Sequence, residues 1–134
     1  MTNDKKKLLI NTAHKVRENA YAPYSNFFVG AAVLTGSGTI YSGVNVENSS
    51  YGLSVCAERH AIAAAVAAGE KEFLAIAVCS PGGVTPCGAC RQVLHDICGN
   101  IPVYCVNESG KLKETLTISE LLPKAFGDSD LEVK

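Results

Sequence analysis

The arrangement of apolar residues in the second half of the chain predicts alternating helices and strands. Residues 56–68 are Ala-rich and apolar on nearly every side, which is typical of a buried helix, and Gly69 ends it. Continuous apolar runs at 73–79 and 102–106 predict buried strands, with a helix over 87–98 between them. This strand–helix–strand order favours parallel pairing, with helices packed on the sheet.

The first half of the chain predicts a helix followed by a hairpin. Apolar residues recur at helical spacing from Asp4 to about Tyr21, which indicates an amphipathic helix. Residues 27–34 are apolar enough to form a buried strand. A glycine-containing turn follows, so we expect residues 39–45 to return as the antiparallel partner.

The chain as a whole is expected to form one α/β domain over residues 1–134. A chain of 134 residues with 47% hydrophobic residues can bury a substantial core, and it contains no repeat or linker. A short helix is expected over 118–122, followed by a polar, loose tail after about residue 127.

Charge and cysteine content favour a cytoplasmic protein that acts on a small molecule. The formal net charge of -1 provides no general attraction for nucleic acid or for an anionic membrane. No apolar run approaches the roughly 20 residues of a membrane-spanning helix, and the N-terminus carries no export signal. Six cysteines in a reducing compartment favour metal or redox chemistry over disulfides.

Two short motifs carry the candidate chemistry. Cys56 and Glu58 stand two positions apart at the start of one predicted helix, and Cys87 and Cys90 form a Cys-x-x-Cys pair at the start of the next. Three thiolates would bind Zn²⁺ and leave a fourth tetrahedral position for water. A neighbouring carboxylate that is not a ligand could move the protons of that water. Together the motifs predict a hydrolytic zinc site.

Chain lengths give a reason for the two motifs to meet. The helix over 56–68 would travel roughly 20 Å, and the strand over 73–79 would return roughly 23 Å. The three cysteines should therefore gather at two adjacent helix N-termini, where helix dipoles stabilise thiolates. Cys56 and Glu58 lie about 200° apart around an ideal helix, so both can address one metal only if the site caps the helix end.

The proposed chemistry assigns proton transfer to Glu58 and charge compensation to arginine. Glu58 would accept a proton from the activated water and pass protons to a ring nitrogen and to a leaving amine. Three thiolates and one Zn²⁺ sum to one negative charge. Arg59 could offset this charge from beside the ligands, and Arg91 is a second candidate.

Two other interpretations of the motifs remain open. His60 lies four residues after Cys56 on the same helical face, and as a fourth ligand it would make a closed Cys₃His site with no catalysis. The protein would then be a zinc-stabilised binding module. A redox pair formed by Cys87 and Cys90 is the other alternative, and it would leave the first motif without a role.

At these residues the chain resembles the small homotetrameric cytidine deaminases, whose zinc chemistry matches the one above. The resemblance extends from residue 24 to residue 126. Segments 24–32, 43–48, 86–93 and 121–126 are similar to the family's first strand, nucleoside-binding segment, second zinc segment and C-terminal stretch. It implies a three-layer fold with a mixed five-stranded sheet and helices on both faces, and one zinc ion per subunit.

The resemblance also implies which residues hold the substrate. Asn45 and Glu47 would bind the 3′-hydroxyl of the sugar, and Phe27 would pack beside the ligand. The backbone of Ala57 and of Cys87 would hold the pyrimidine ring. A carboxylate beside the sugar repels phosphate, which favours a free nucleoside over a nucleotide or a nucleic acid.

The resemblance implies that the site is shared between subunits. Tyr51 and Phe126 would complete the pocket of a neighbouring subunit in a homotetramer. The expected reaction is deamination of cytidine and 2′-deoxycytidine to uridine and 2′-deoxyuridine, a step of pyrimidine salvage. A related deaminase acting on aminonucleoside antibiotics is the nearest alternative enzyme.

Overall fold

A mixed five-stranded sheet organises the chain. The computed structural model describes residues 1–131 and places the strands in the order β2-β1-β3-β4-β5. The pair β3–β4 is parallel, and the other three pairs are antiparallel. The strands are β1 Gly30–Thr35, β2 Ile40–Val44, β3 Phe73–Cys79, β4 Pro102–Val106 and β5 Leu112–Thr117.

Helices cover both faces of this sheet, which confirms the expected α/β fold. The α-helices are α1 Asn3–Val16, α2 Ala57–Ala67, α3 Gly88–Cys98 and α4 Ile118–Leu121. Alternate residues of β1 point to opposite faces: Ala32 and Leu34 pack with Leu9 of α1, whereas Ala31 and Val33 belong to the core shared with α2 and α3. The period-2 geometry of the strand thus supplies two separate cores.

The element boundaries that the sequence predicts agree best with the structure where the element is buried. The strands over 73–79 and 102–106 are confirmed residue for residue. The first helix is shorter than expected, because a 3₁₀ turn at Arg17–Asn19 replaces its last part. The first strand begins only at Gly30, because the backbone of the preceding residues 27–29 is bound by the side chain of Asn45.

The apolar pattern of the sequence predicts four strands and does not predict β5, whose existence is expected only from the family resemblance. Leu112 and Leu116 are half-buried, but Lys113, Glu114 and Thr115 between them are exposed. The two leucines pack on opposite faces of the sheet, Leu116 with the core beside α2 and α3 and Leu112 with the core beside α1, because the pairing with β4 shifts register between them. Alternating apolar residues therefore do not mark β5, which forms the edge of the sheet and pairs only with β4.

Helix α2 is open on one side, so the expectation of a helix buried on nearly every side is wrong for the single chain. Ala57, Ala61 and Ala65 are buried against the sheet. The opposite face of the helix is exposed, and its exposed apolar residues are Ala63, Ala64, Val66 and Ala67. Val66 is 48% exposed.

The C-terminal residues that the sequence describes as a loose tail begin with a short ordered turn. Asp128–Leu131 form a 3₁₀ turn, in which Gly127 N–H donates to Asp130 Oδ2 at 2.9 Å. The remainder of the expected tail, residues 132–134, lies outside the described residues. None of the helices in residues 1–131 is long and apolar enough to cross a membrane.

Gly43 of β2 sets how closely that strand approaches helix α2. A Cβ atom built at this position would lie 2.5 Å from the backbone N of Ala61 and 2.7 Å from the backbone O of Ala57. Both are backbone atoms of the helix that carries Glu58, so a side chain here would push that helix away from the sheet.

We expect Gly43→Ala to destabilise the fold by about 1–3 kcal/mol, because the helix backbone cannot move aside without opening the core. The midpoint of thermal unfolding should fall by roughly 3–10 °C. Gly52→Ala is the matched control, because a Cβ there meets nothing within 4 Å. Equal unfolding midpoints for the two variants would show that the close approach of β2 and α2 does not limit the stability of the fold.

Candidate active site

Three cysteine side chains converge to form a candidate metal site. The Sγ atoms of Cys56, Cys87 and Cys90 all lie within 4.8 Å of one another, and those of Cys56 and Cys87 are 3.9 Å apart. A tetrahedral ion with Zn–S bonds of about 2.3 Å requires S···S separations of about 3.8 Å. The sulfur spacing therefore fits Zn²⁺ with little rearrangement.

The cysteines come together at the start of two helices, as the chain lengths predict. Cys56 is the N-cap residue of α2 and Cys87 is the N-cap residue of α3. Neither side chain is used as a hydrogen-bonding cap, so both sulfur atoms are free to face a metal. Cys90 lies one turn into α3 and is buried. The positive ends of both helix dipoles favour negative charge at this point.

The surroundings of the sulfur atoms shift the pKa values of Cys56 and Cys90 in opposite directions. The hydrogen bond from Cys90 lowers the pKa of Cys56 to about 5, with Arg59 and Cys87 acting in the same direction. The same hydrogen bond raises the pKa of Cys90, because its thiol is the proton donor. Arg59 Nη2 lies 3.8 Å from Cys56 Sγ. Arg59 thus occupies the position of a counter-charge to the thiolates.

Glu58 is a buried carboxyl group beside the same sulfur atoms. It is 4% exposed, and burial raises its pKa to about 7, with the negative charge of Cys56 contributing further. Cys56 and Glu58 address the same space because the sulfur cluster caps the end of α2 rather than lying along its side.

A cavity of about 250 Å³ opens in front of the sulfur cluster. Its lining combines the metal motifs with apolar walls, and Glu58 is the acidic residue in it. The lining residues are Phe27, Val29, Asn45, Cys56, Ala57, Glu58, Val78, Ser80, Val84, Thr85, Pro86 and Cys87. Cys56 therefore shares this cavity with five other residues that the sequence predicts for the site: Phe27, Asn45, Ala57, Glu58 and Cys87.

Asn45 holds the wall that Phe27 provides. Its Oδ1 accepts a hydrogen bond from Val29 N–H at 2.9 Å, and its Nδ2 donates to Phe27 O at 2.7 Å. The side-chain amide thereby fixes the backbone on both sides of residue 28. One N–H and one lone pair of the amide remain for a ligand.

Glu47 lies beside this cavity and not in its lining. It faces an adjacent depression that it shares with Tyr24, Ser25 and Tyr51. Its carboxylate accepts hydrogen bonds from the backbone N–H groups of Tyr24 and Ser25, each at 3.1 Å, and from the hydroxyl of Ser25. The bond from the Ser25 hydroxyl is the largest of the effects that lower the pKa of Glu47, so this residue is held as an anion.

Three of the expected site residues, Tyr51, Phe126 and Arg91, are not part of the cavity lining. Tyr51 is 78% exposed and Phe126 is 57% exposed, and neither lines the cavity. Arg91 hydrogen-bonds to oxygen atoms of Thr85, Pro86 and Leu121, whereas Arg59 contacts sulfur. The structure therefore gives no support to Arg91 as a second counter-charge.

The rival fourth ligand also points elsewhere. His60 Nδ1 donates to the carbonyl oxygen of Val44 at 2.8 Å, which ties α2 to the end of β2. Within residues 1–131, the cluster of possible metal ligands contains the three cysteines and not this histidine. The geometry therefore favours a site with an open fourth position over a closed Cys₃His site.

The sequence motifs do not predict four other residues of the cavity lining, which are Val78, Ser80, Val84 and Thr85. Val78 and Ser80 lie at the end of β3 and just beyond it, and Val84 and Thr85 lie in the loop that leads to Cys87. The end of a strand next to a helix N-terminus is a usual place for a binding site in α/β folds. That rule would have identified the region, although not the side chains that face inwards.

Comparison with known proteins gives a consistent result. The family model for the "Cytidine and deoxycytidylate deaminase zinc-binding region" matches residues 3–106. A cytidine deaminase from Sporosarcina psychrophila is 52% identical over 126 residues, covering 92% of each chain. One from Halalkalibacterium halodurans is 46% identical over 129 residues, covering 94% of this chain and 97% of the relative.

Solved structures agree with the sequence comparisons. The 1.6 Å crystal structure of cytidine deaminase from Burkholderia pseudomallei matches with a TM-score of 0.85 at 46% identity. The match covers 94% of this chain and 100% of the other. The similarity therefore extends over most of the chain and is not confined to the zinc motifs.

We expect His60→Ala to retain zinc, because its imidazole is bound to Val44 and not directed at the sulfur cluster. Metal analysis of the purified variant should give the same zinc content as the wild type, with some loss of thermal stability from the missing hydrogen bond. Cys90→Ser is the comparison, and it should lose zinc. A folded His60→Ala protein without metal would restore the Cys₃His interpretation.

Proposed function

The chain belongs to the family of zinc-binding cytidine and deoxycytidylate deaminases, and from this we propose that it deaminates cytidine and 2′-deoxycytidine hydrolytically. The products are uridine or 2′-deoxyuridine and ammonia. The observation that carries this proposal is the cluster of three thiols beside one buried carboxyl group, at a cavity that Cys56, Cys87 and Glu58 line.

Cys56, Cys87 and Cys90 are the residues that would hold the zinc ion. Their sulfur spacing fits Zn²⁺, and the three of them leave one coordination position free. Bound there, zinc supplies a nucleophile at neutral pH by lowering the pKa of water. The described residues gather these ligands in one cluster, which favours one ion per subunit.

Arg59 compensates the charge of the ligand set. Three thiolates and a divalent ion leave one negative charge, which would weaken the activation of water. The guanidinium group lies beside Cys56, and the hydrogen bond to that sulfur raises the pKa of Arg59. A fixed cation at this distance stabilises the thiolates without occupying the open coordination position.

Glu58 is the proton carrier. Burial raises its pKa to about 7, so it can both accept and release a proton near neutral pH. It would take one proton from the attacking water and pass it to the ring nitrogen, and then take the remaining hydroxyl proton and pass it to the departing amino group. Both nitrogens are bonded to the carbon that the water attacks, which lets one carboxyl group serve both transfers.

The cavity walls suit a flat pyrimidine ring. Apolar side chains from Phe27, Val29, Val78 and Pro86 line it. Ala57 is the first residue of α2, and the N–H groups of a first helical turn have no partner within the helix. The backbone of Ala57, with that of Cys87, can therefore bind the polar edge of the ring.

The sugar would lie between the cavity and the neighbouring depression. Asn45 lines the first and Glu47 lines the second, so a 3′-hydroxyl between them can bind both. Glu47 is held as an anion and would repel a phosphate group at this position. We therefore assign free nucleosides as substrates.

The alternative functions are not favoured. His60 binds Val44, which removes the observation that suggested a closed Cys₃His binding module. The relatives that match most of the chain are cytidine deaminases, which argues against a deaminase of aminonucleoside antibiotics.

We also propose that the active form is a homotetramer with shared sites. Tyr51 and Phe126 are large aromatic residues that lie exposed in the single chain, where another subunit could cover them. The open face of α2 forms an apolar groove with α3, and the groove residues include Ile62, Val66, Val93 and Ile97. The groove is continuous across both helices, which suits packing against the same face of a second copy of the chain.

The cytoplasm is the compartment that suits this site. All six cysteines are free thiols, and three of them must remain reduced to bind metal. A reducing compartment keeps them in that state.

The zinc-loaded protein should convert cytidine to uridine, which is measured as loss of the ultraviolet band of cytidine together with release of ammonia. Glu58→Gln should lower kcat by about 10²–10⁴-fold, because an amide cannot carry the protons. The variant should keep its zinc, because Glu58 is not a ligand. Glu18→Gln, an exposed carboxylate outside the cavity, is the control and should retain full activity.

Sedimentation should show a tetramer that Val66→Glu dissociates, because a carboxylate would be buried without a partner in the apolar groove. Activity should fall with dissociation if the sites are shared. Leu8→Glu is the matched control, because Leu8 is an exposed apolar residue on α1, on the other side of the sheet. A wild-type protein that sediments as a monomer would rule out the shared site.

A further inference from the structure

We propose that Arg91 is a positioning residue that fixes one wall of the catalytic cavity and ties it to the C-terminal part of the fold. This inference rests on the proposed deaminase function. The wall consists of Val84, Thr85 and Pro86, which line the cavity and lead directly into Cys87.

The guanidinium group of Arg91 joins two segments through three hydrogen bonds. Nε donates to Pro86 O at 2.7 Å, Nη2 donates to Thr85 Oγ1 at 2.7 Å, and Nη1 donates to Leu121 O at 2.8 Å. All three acceptors are oxygen atoms, and the group is partly buried. The planar, rigid fork of arginine is suited to holding several acceptors at fixed positions, which a lysine cannot do.

The part of the wall next to Cys87 needs such an anchor, because the other hydrogen bonds of this loop hold the residues before it. Gly82 N–H donates to Glu108 Oε2 at 2.7 Å, and Gly83 N–H donates to Ser80 O at 3.0 Å. Pro86 has no backbone N–H, so its carbonyl is the one backbone group it can use. Arg91 binds that carbonyl.

The other end of the wall is held by a different side chain. Ser80 is buried, and its Oγ accepts a hydrogen bond from Val84 N–H at 3.1 Å. The wall is therefore fixed at Val84 by a residue that follows β3, and at Thr85 and Pro86 by a residue of α3. Removal of Arg91 would release the part next to the metal ligand.

The third hydrogen bond extends the same linkage to the end of the chain. Leu121 is the last residue of α4, and Arg91 binds its carbonyl. The next residue, Gln92, donates from Nε2 to Phe126 O at 2.8 Å. Two consecutive side chains after Cys90 thus hold the C-terminal segment against the start of α3. The cavity wall and this segment are fixed by one element.

Arg91→Lys and Arg91→Ala separate positioning from simple charge compensation. If Arg91 positions the wall, lysine keeps the charge but loses the three-way contact, so kcat/KM should fall by about 10-fold for lysine and about 100-fold for alanine. KM for cytidine should rise in both variants. The zinc content should equal that of the wild type, because the ligands are carried by α2 and α3.

Chemical rescue provides a second readout. Guanidinium ions at low millimolar concentration should restore part of the activity of Arg91→Ala and lower its KM, and the same concentration of NaCl should not. Lys7→Gln, which removes an exposed charge on α1, should match the wild type in KM, zinc content and response to guanidinium. Where Arg91→Ala does not fold, Arg91→Lys carries the test through KM and zinc content.

Three outcomes would overturn the inference. If Arg91→Lys had wild-type kinetics, the positive charge of Arg91 would account for its role without positioning. Loss of zinc from either folded variant would assign it to the metal site. A lower kcat with unchanged KM would indicate only a smaller folded fraction. An inactive wild-type enzyme with full zinc content would instead refute the proposed function, so the two failures are distinguishable.

Discussion

The site depends on one constraint, which is that helices α2 and α3 begin at the same edge of the sheet. The first runs away from this edge, β3 returns to it, and the second starts there before the crossover to β4. That crossover makes β3–β4 the parallel pair of an otherwise antiparallel sheet. Cys56 and Cys87 are the N-cap residues of these helices and lie 31 residues apart along the chain. A metal bound at this point would therefore join the two helices.

Opposite electrostatic effects operate within this small volume. Helix dipoles, Arg59 and thiol hydrogen bonds favour the anionic form of Cys56, whereas burial favours the protonated form of Glu58. The difference follows from position: the sulfur atom lies at the helix end, and the carboxyl group lies in an apolar interior. Two groups whose pKa values are shifted apart can take different tasks in one reaction. In the proposed reaction the thiolates would bind metal and the carboxyl group would move protons.

Much of this arrangement could be predicted from the sequence, because it depends on regular geometry. The rises per residue of a helix and of a strand sufficed to place Cys56 beside Cys87. The roles of Arg91 and Asn45 as anchors could not be predicted, since both depend on which loop lies opposite a side chain in the folded chain. The open face of α2 was missed for a related reason: an Ala-rich helix has the same pattern whether the core or another subunit covers it. Strand β5 was missed because an edge strand needs few apolar residues.

The site divides its work between rigid elements and anchored loops. The proposed metal ligands lie at the starts of α2 and α3, where the carbonyl groups of Cys56 and Cys87 already accept hydrogen bonds from the N–H groups of His60 and Arg91 within the helices. The substrate walls lie on loops, whose backbone groups need other partners. Polar side chains supply those partners: Asn45 and Glu47 for the segment around Phe27, and Ser80 and Arg91 for the wall before Cys87. A residue such as Asn45 therefore shapes the cavity before any ligand arrives. This arrangement separates metal binding from substrate recognition. A substitution of an anchoring side chain would alter the cavity walls, whereas the helices would keep the three cysteines in place.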